Sequence, residues 1–224
     1  MRTSLLIGLA AAGLLASAAS AQAQDQAGIA AGDWLVRLRG IVVAPNESSD
    51  GITPGIPTGK VGVGNAVMPE VDFTYMATDH IGAELIVSST RHDIQGRAAI
   101  ASLGKVGHSW VLPPTLTLQY HFLPKAAIRP YVGAGVNYTI FYSAKTSDSL
   151  NKALGKTSLS LKDSFGYALQ AGVDIDLNKK FFLNLDVKYI DMSTTARLDT
   201  GGTINQTRVD INPLVFGFGV GTRF

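Results

Sequence analysis

The chain contains no cysteine, so a disulfide framework, thiol catalysis and cysteine-ligated metal sites are all excluded. Charge is scarce and nearly balanced, with 19 basic and 17 acidic residues, which provides no basic footprint for nucleic acid. Beyond the N-terminal segment no run of eighteen apolar residues occurs, so no membrane-spanning helix is predicted. Yet 46% of the residues are hydrophobic, and this content requires an explanation other than spanning helices.

The N-terminus has the features of a secretory signal peptide. Arg2 precedes an apolar run that is too short to cross a bilayer as a helix. Two overlapping A-x-A patterns follow, so we predict cleavage after residue 21 or 23. The predicted division is a signal peptide over 1–23 and a single mature domain over 24–224.

Long stretches of the mature chain alternate apolar with polar or small residues, which is the period-2 pattern of a strand with two different faces. Each stretch is long enough to cross lipid when tilted, because a transmembrane strand needs about 9–11 residues. Strands of soluble sandwiches are usually shorter. Eight such segments are predicted, at 33–44, 67–77, 80–91, 109–122, 129–142, 164–177, 181–193 and 209–224.

The connections between these segments alternate in length. Short ones lie at 78–79, 123–128 and 178–180. Outer-membrane barrels combine short periplasmic turns with long extracellular loops. Long polar or glycine-rich connections lie at 45–66, 92–108, 143–163 and 194–208. We therefore predict an all-β fold, an eight-stranded antiparallel up-and-down transmembrane β-barrel in the outer membrane of a Gram-negative bacterium, with both termini periplasmic.

Each segment has one apolar face and one polar or small face. In the sixth segment Phe165, Tyr167 and Leu169 share one parity, whereas Gln170 and Gly172 share the other. A soluble barrel would place the apolar row inside. We predict instead that outer-membrane lipid covers the apolar row, with aromatic girdles near its ends. The alternative is that these rows form the core of a β-sandwich.

Charged residues recur on the inward rows toward the periplasmic end. The interior of an eight-stranded barrel is barely wider than its side chains, so these charges must pair to offset their lost hydration. We predict that they form a plug. Its predicted members are Arg37, Arg39, Glu70, Asp72, Glu84, Arg129, Asp174, Asp176, Asp186, Lys188 and Arg223.

The same inward rows become apolar toward the outer loops. A water-filled porin would have polar residues there, whereas an apolar cup suits a small hydrophobic ligand. The alternative is that these residues only fill the rim beneath folded loops. The predicted lining consists of Ile41, Val43, Met68, Ile86, Val111, Phe141, Ile190, Met192, Ile211 and Pro213.

Prolines interrupt the upper parts of two predicted strands. Pro113 and Pro114 lie in the fourth segment and Pro69 in the second, and none of them has an amide hydrogen for the ladder. We hypothesise that strand pairing is weakened beside the fourth strand, which would give the cup a side exit into the outer leaflet. The alternative is that the prolines simply occupy strand starts or bulges.

Several stretches together resemble the OmpW family of outer-membrane proteins, and the resemblance covers nearly the whole mature chain. They are LPPTLTLQYHF at 112–122, RPYVGAGVNYT at 129–139, FLNLDVKYI at 182–190, VDINP at 209–213 and GVGTRF at 219–224. The resemblance implies an eight-stranded barrel with a narrow apolar channel for small hydrophobic molecules. It also implies a periplasmic end closed by bulky side chains and sideways release of cargo.

The C-terminus resembles the signal that the outer-membrane assembly machinery recognises, because the chain ends in an aromatic residue, Phe224. The preceding residues 221–223 differ slightly from the aromatic-containing ending usual in the family. The assembly machinery, outer-membrane lipid and small hydrophobic molecules are therefore the expected partners, and nucleic acid is not.

Enzymatic activity is the least favoured alternative. Some small outer-membrane barrels resemble lipid A acyltransferases or deacylases with histidine and serine near the outer rim, and here His92 and His108 lie close in sequence to Ser102 and Ser109. Such residues are common in loops, and no clustered metal-ligand spacing occurs. We predict a passive channel or binding barrel without cofactors. The alternative is a structural or adhesive barrel whose outer loops bind partners.

Overall fold

The computed structural model describes residues 28–224, so the predicted signal peptide and its cleavage sites lie outside the described residues. No helix in this part of the chain is long and apolar enough to span a bilayer. Its elements are β1 (Trp34–Ala44), β2 (Ser48–Ser49), β3 (Gly59–Val63), β4 (Ala66–Met76), β5 (Ile81–Ser88), β6 (Thr90–Ala98), a 3₁₀ turn (Ala101–Leu103), β7 (Lys105–Leu112), β8 (Thr115–His121), β9 (Ile128–Thr146), α1 (Asp148–Leu154), β10 (Thr157–Leu161), β11 (Ser164–Asp176), β12 (Phe181–Ile190), β13 (Ser193–Thr200), β14 (Thr203–Asp210) and β15 (Leu214–Arg223).

Eight of these strands close into an antiparallel barrel in the order β1, β4, β5, β8, β9, β11, β12 and β15. The barrel closes where β15 pairs with β1, with Leu35 opposite Arg223 and Ala44 opposite Leu214. Closure leaves no free edge within the barrel wall, which a sheet in lipid requires. The predicted fold class is confirmed.

The short turns and both ends of the described chain lie at the same end of the barrel. Trp34 and Phe224 exchange backbone hydrogen bonds of 3.1 and 3.0 Å, and the Gly32 amide donates to Met76 O at 2.8 Å, beside the β4–β5 turn. The Arg223 amide donates to Lys180 O, in the β11–β12 turn, at 3.1 Å. The long connections therefore emerge together at the opposite end.

The two faces of the wall are divided as the alternation predicted. Leu38 of β1 is 55% exposed and Phe165 of β11 is 72% exposed, whereas Arg37 and Arg39, which flank Leu38, point inward and are fully buried. A row of exposed apolar side chains on every barrel strand is suited to hydrocarbon rather than water. The polar side chains fill the lumen instead.

The four long connections, predicted as polar or glycine-rich loops, contain further strands and a short helix. The first contains β2 and β3, the second most of β6 and the start of β7, the third α1 and β10, and the fourth most of β13 and β14. Strands β7, β6 and β3 continue the sheet outward from β9, and β10, β13, β14 and β2 form a second sheet. Backbone groups in these connections pair with neighbouring strands, which satisfies them at the outer end.

The bounds of four predicted strands also need correction. The third segment is divided between β5 and β6 around Ser89, and the fourth is divided between β7 and β8 at Pro113 and Pro114. The fifth is longer than predicted, because β9 continues to Thr146 and spans 19 residues. The last barrel strand begins at Leu214, since the residues before it belong to β14 and its connection.

Candidate functional site

The lower lumen contains a network of ion pairs in which Arg37 has the most contacts. Its guanidinium is fully buried and donates twice to the Asp174 carboxylate, from Nε at 3.2 Å and from Nη2 at 2.9 Å. Nη1 donates to Asp72 Oδ1 at 2.9 Å and to Thr74 Oγ1 at 2.8 Å. The ring of Tyr131 lies 5.4 Å from the central guanidinium carbon. Arg37 thus joins the β4 and β11 sides of the lumen from its place on β1.

A second layer of the same network lies next to the upper lumen. The Arg39 guanidinium contacts Glu70 Oε1 at 2.8 Å and Asp72 Oδ2 at 2.7 Å. Lys188 Nζ donates to Glu70 Oε1 at 2.9 Å and also to Asp186. Because Asp72 contacts both arginines, the two layers form one connected network.

The end of the lumen that carries the short turns is occupied by a separate group around Asp176. Arg223 binds this carboxylate with both terminal nitrogens, at 3.0 and 2.9 Å, and Arg129 Nη1 lies 2.6 Å from Oδ1. Arg223 also donates to Lys179 O at 2.7 Å, which ties the last barrel strand to a short turn. Bulky charged side chains therefore fill the lumen at this end.

All eleven residues predicted for the plug are buried and take part in ion pairs. Sequence reasoning did not assign neutral partners to the plug, although their inward parity could have identified them. Close packing also depends on Gly172, since a Cβ there would lie 2.4 Å from the Tyr131 ring. The neutral partners include Thr74, Thr117, Gln119, Tyr131, Gln170, Phe182 and Asn184.

An apolar cavity lies between this network and the outer loops. It encloses about 1120 Å³, including its opening to solvent, so the upper lumen is not simply filled by side chains. Nine of the ten residues predicted for its lining do line it: Ile41, Val43, Ile86, Val111, Phe141, Ile190, Met192, Ile211 and Pro213.

Met68 is the exception among the predicted lining residues. It lies opposite Ile41 in the β1–β4 pairing but is only partly buried and does not line the cavity. β3 contributes Val61 and Val63 to the lining instead. The outer strands also supply lining residues that the sequence prediction missed, because it treated their segments as irregular. These include Ile94, Val106, Leu159, Leu161, Ala196, Leu198 and Val209.

His92 is a titratable residue in the cavity wall, on the outer strand β6. Its Nδ1 lies 2.8 Å from Gly64 O and its Nε2 lies 3.0 Å from Thr90 Oγ1. A carbonyl can only accept, so Nδ1 carries a hydrogen and Nε2 accepts from the threonine. Burial lowers the pKa of His92 below its ordinary value. The imidazole is therefore neutral at pH 7.

Of the serine and histidine residues weighed for catalysis, His92 and Ser109 lie opposite each other in the β6–β7 pairing, but their side chains bond to other groups within the described residues. The ring nitrogens of His92 are engaged as above, and Ser109 Oγ donates to the carbonyl oxygens of Trp110 at 3.0 Å and Tyr142 at 3.2 Å. A serine nucleophile needs a base within hydrogen-bonding distance. These residues therefore act as wall components in this arrangement.

We expect the β6 segment around His92 to be less stable in acid, because burial disfavours the charged imidazole more than its hydrogen bond to Gly64 O favours it. A buried histidine with a lowered pKa destabilises the folded state as pH falls below about 6.5, because the unfolded state then binds the extra proton more readily. The Gly64 amide, which donates to Asp93 O at 3.0 Å, should exchange its hydrogen faster at low pH after correction for intrinsic rates. His92→Gln should remove this acid effect, and an equal effect in the variant would contradict the assignment.

The ladder between the third and fourth strands of the wall is interrupted beside the cavity. β5 and β8 pair as far as Ile86 opposite Thr115, and pairing resumes between β6 and β7 with Thr90 opposite Val111. The intervening segment 112–114 contains two prolines, which have no amide hydrogen to donate. Within the described chain, residues 87–89 on one side and 112–114 on the other therefore have no registered partner across this boundary.

The proline segment is held by β9 rather than by β5. Pro114 O accepts from the Tyr138 amide at 3.1 Å and from Asn137 Nδ2 at 3.3 Å. Across the interruption, a hydrogen bond of 2.6 Å joins the hydroxyl groups of Ser89 and Tyr142. One side-chain hydrogen bond therefore spans a position where backbone pairing is missing.

Sequence and structure comparisons agree on the relatives of this barrel. Residues 30–224 match the OmpW family. The chain belongs to the OmpW family. Outer membrane protein W of Escherichia coli (strain K12) is 40% identical over 196 residues, which cover 87% of this chain and 89% of that one. The sequence-based resemblance to the OmpW family is thus confirmed.

Two further relatives extend the comparison within the OmpW family. The crystal structure of the outer membrane protein OprG from Pseudomonas aeruginosa has a TM-score of 0.83 and 32% identity, covering 89% of this chain and 99% of that one. The dibenzothiophene metabolism operon protein PahQ of Pseudomonas aeruginosa is 26% identical over 196 residues, 85% of this chain and 88% of that one. This OmpW-family chain is therefore an outer-membrane β-barrel protein.

Proposed function

We propose that this barrel carries small hydrophobic molecules passively through the outer part of the outer membrane and releases them sideways into lipid. The observation that carries the proposal is the apolar cavity above a lumen filled by ion pairs. An apolar solute gains about 25 cal/mol for each Å² that it removes from water. The cavity therefore offers such a solute a favourable site that the charged plug does not.

The plug makes a straight path to the periplasm unfavourable for this cargo. The side chains of Arg37, Arg39 and Asp174 are fully buried. Arg37 binds Asp174 and both arginines bind Asp72, so moving these side chains apart would leave buried charges without a partner. The cavity instead adjoins the interrupted ladder, since Pro113, Thr115 and Ser88 line it. Sideways release follows the weaker part of the wall.

The comparisons support a hydrophobic cargo without identifying it. The name of PahQ associates that relative with the metabolism of dibenzothiophene, which is a small apolar aromatic compound. The lining of the cavity is predominantly apolar, which suits a molecule of this kind. No step needs an energy source, because the cargo moves from water into an apolar site and then into hydrocarbon.

The proposed orientation follows from the same architecture. The short turns lie at the end that carries Phe224, and outer-membrane barrels keep their short turns in the periplasm. We propose that both termini of the barrel are periplasmic and that the exposed side chain of Phe224 is read by the assembly machinery. The outer strands and the cavity then face the exterior.

Cross-linking the interrupted ladder tests the proposed exit. The last registered pair beside the interruption is Thr90 with Val111, and continuing that register by one residue brings Ser89 next to Leu112. The natural chain has no cysteine that would compete. In host cells that lack their own outer membrane protein W, the chain carrying Ser89→Cys and Leu112→Cys should take up N-phenyl-1-naphthylamine when reduced. Oxidation should lower the uptake rate to that of cells without the barrel, because the side path can no longer open.

A matched pair in a complete ladder provides the control. Leu38 and Val220 are registered partners on the lipid face between β1 and β15. The chain carrying Leu38→Cys and Val220→Cys should keep its uptake after oxidation. Unchanged uptake through the oxidised Ser89–Leu112 pair would rule out the exit. Uptake no faster than in cells without any barrel would overturn transport itself and favour a structural or adhesive role.

A further inference from the structure

A carboxylate at the floor of the cavity has one oxygen available to an occupant. Glu70 lines the cavity and is only 3% exposed. Arg39 and Lys188 both contact its Oε1, at 2.8 and 2.9 Å. Its Oε2 accepts no hydrogen bond from any residue in the range 28–224. Because Glu70 lines the cavity and its cationic partners contact the other oxygen, this atom can accept a hydrogen bond from a donor brought by the cargo.

A hydroxyl group lies beside this carboxylate. Ser88 is registered directly opposite Glu70 in the β4–β5 pairing, which places the two Cβ atoms about 5 Å apart. Ser88 also lines the cavity and is 8% exposed, and its hydroxyl makes no hydrogen bond to another residue of the described barrel. The floor therefore presents a free acceptor and a free hydroxyl at the same height.

The other polar groups of the cavity wall are already engaged. Thr90 bonds to His92, Thr115 Oγ1 donates to Pro113 O at 2.9 Å, and Ser109 donates to two carbonyl groups. A hydroxyl that is already hydrogen-bonded within the protein gains little from a ligand. The Glu70–Ser88 pair is thus the place where a polar group of the cargo would gain most.

The charge of the network beneath the floor indicates which polar group fits. Three cationic side chains contact five carboxylates, so the formal charge of the network is negative by two. A cation beside Glu70 would reduce this imbalance, whereas an anion would increase it. The cationic members are Arg37, Arg39 and Lys188, and the carboxylates are those of Glu70, Asp72, Glu84, Asp174 and Asp186.

We propose that the cavity selects amphipathic molecules with an apolar chain and a hydrogen-bond-donating head group, and that it favours a primary ammonium over a hydroxyl. The head group donates to Glu70 Oε2 and contacts Ser88 Oγ, while the chain lies among Ile41, Ile190 and Val215. This inference rests on the proposed function, because it names the class of cargo that the same cavity takes.

Competition among four ten-carbon molecules tests the selection. The barrel is placed in phosphatidylcholine nanodiscs with N-phenyl-1-naphthylamine bound, and decane, 1-decanol, decylammonium and decanoate are added as competitors. At about pH 8 the amine is protonated and the acid is ionised. Decylammonium should displace the probe at a concentration about tenfold lower than decanoate, since hydrogen bonds to charged groups are the stronger class. 1-Decanol should fall between them.

Variants separate the head-group contact from partitioning into the nanodisc lipid. Glu70→Gln should reduce the advantage of decylammonium over decane about tenfold, and Ser88→Ala about threefold. Ser88→Ala removes no hydrogen bond within the described chain, so it keeps the test decisive if Glu70→Gln fails to fold. Glu84→Gln is the matched control, because it removes one carboxylate charge from the network at a residue that does not line the cavity. Glu84→Gln should reduce the advantage of decylammonium much less than Glu70→Gln does, because it lowers the network charge but leaves the contact with Glu70 intact.

The outcomes distinguish this inference from the proposed function. Displacement by all four molecules with equal strength, or most strongly by decanoate, would overturn the head-group selection and leave hydrophobic binding intact. If Glu70→Gln and Glu84→Gln lose the same share of the decylammonium advantage, the charge of the network acts without a contact at Glu70. That result would also overturn the head-group selection. If the probe does not bind and decane has no effect, the proposed function fails as well.

Discussion

Met192→Asp should reduce uptake of N-phenyl-1-naphthylamine about tenfold or more, because an ionised carboxylate in an apolar wall keeps water that the cargo must displace. Met192 is 5% exposed and lines the cavity together with Ile190 and Ile211. Its backbone amide donates to Asn212 Oδ1 at 3.0 Å, a contact that the substitution leaves in place. Initial rates in cells with equal amounts of folded barrel measure the effect.

Met192→Leu is the control for this prediction, since it keeps an apolar side chain of similar volume. Its uptake should stay near that of the natural chain. Phe141→Asp tests the part of the wall formed by β9 and should act in the same direction, because Phe141 also lines the cavity. Normal uptake in both aspartate variants would show that the cavity is not on the path of the cargo.

Arg37→Met should lower the free energy of unfolding by about 3–5 kcal/mol, because it leaves buried carboxylates without their cation. Arg37 donates to Asp72 and Asp174 and lies 3.6 Å from Glu84 Oε1, and all of these side chains are fully buried. Urea titration of the barrel in lipid vesicles, followed by tryptophan fluorescence, measures the change.

Arg208→Met provides the comparison for this loss. Arg208 pairs with Asp210 at 3.1 Å on the outer sheet, where the two side chains are 61% and 41% exposed. Exposed pairs contribute about 0–1 kcal/mol, so this variant should unfold almost as the natural chain does. Equal stability of both variants would mean that the lumen side chains are not ionised in the folded state. The preference for a cationic head group, which was argued from the charge of this network, would then lose its support.

The sequence predicted the barrel well because alternation is a property of each strand alone. Inward parity was sufficient to place Arg37 and Asp174 in the lumen and Ile41 and Ile190 in the cavity, since a two-sided wall leaves no other position for them. The charged half and the apolar half of the lumen could be separated in the same way. Neither inference required knowledge of which strands pair above the membrane.

The outer half of the molecule was less predictable because its strands pair at a distance. β6 pairs with β3 and β7, and β14 with β13 and β2, and the sequences of these segments lack a strong apolar alternation. These strands pair because they continue the strands of the barrel wall, and not because their own sequences alternate apolar and polar residues. The misassigned Met68 has the same origin, because β3 supplies Val61 and Val63 to the lining.

The length of β9 has a consequence for the height of the molecule. Its 19 residues extend about 65 Å at 3.4 Å per residue, and at a tilt of about 40° they still rise about 50 Å. The apolar band of such barrels is about 25 Å tall. The strand is therefore about twice as tall as the apolar band, so the end of the wall that carries the cavity stands clear of the hydrocarbon and its opening is reached from water.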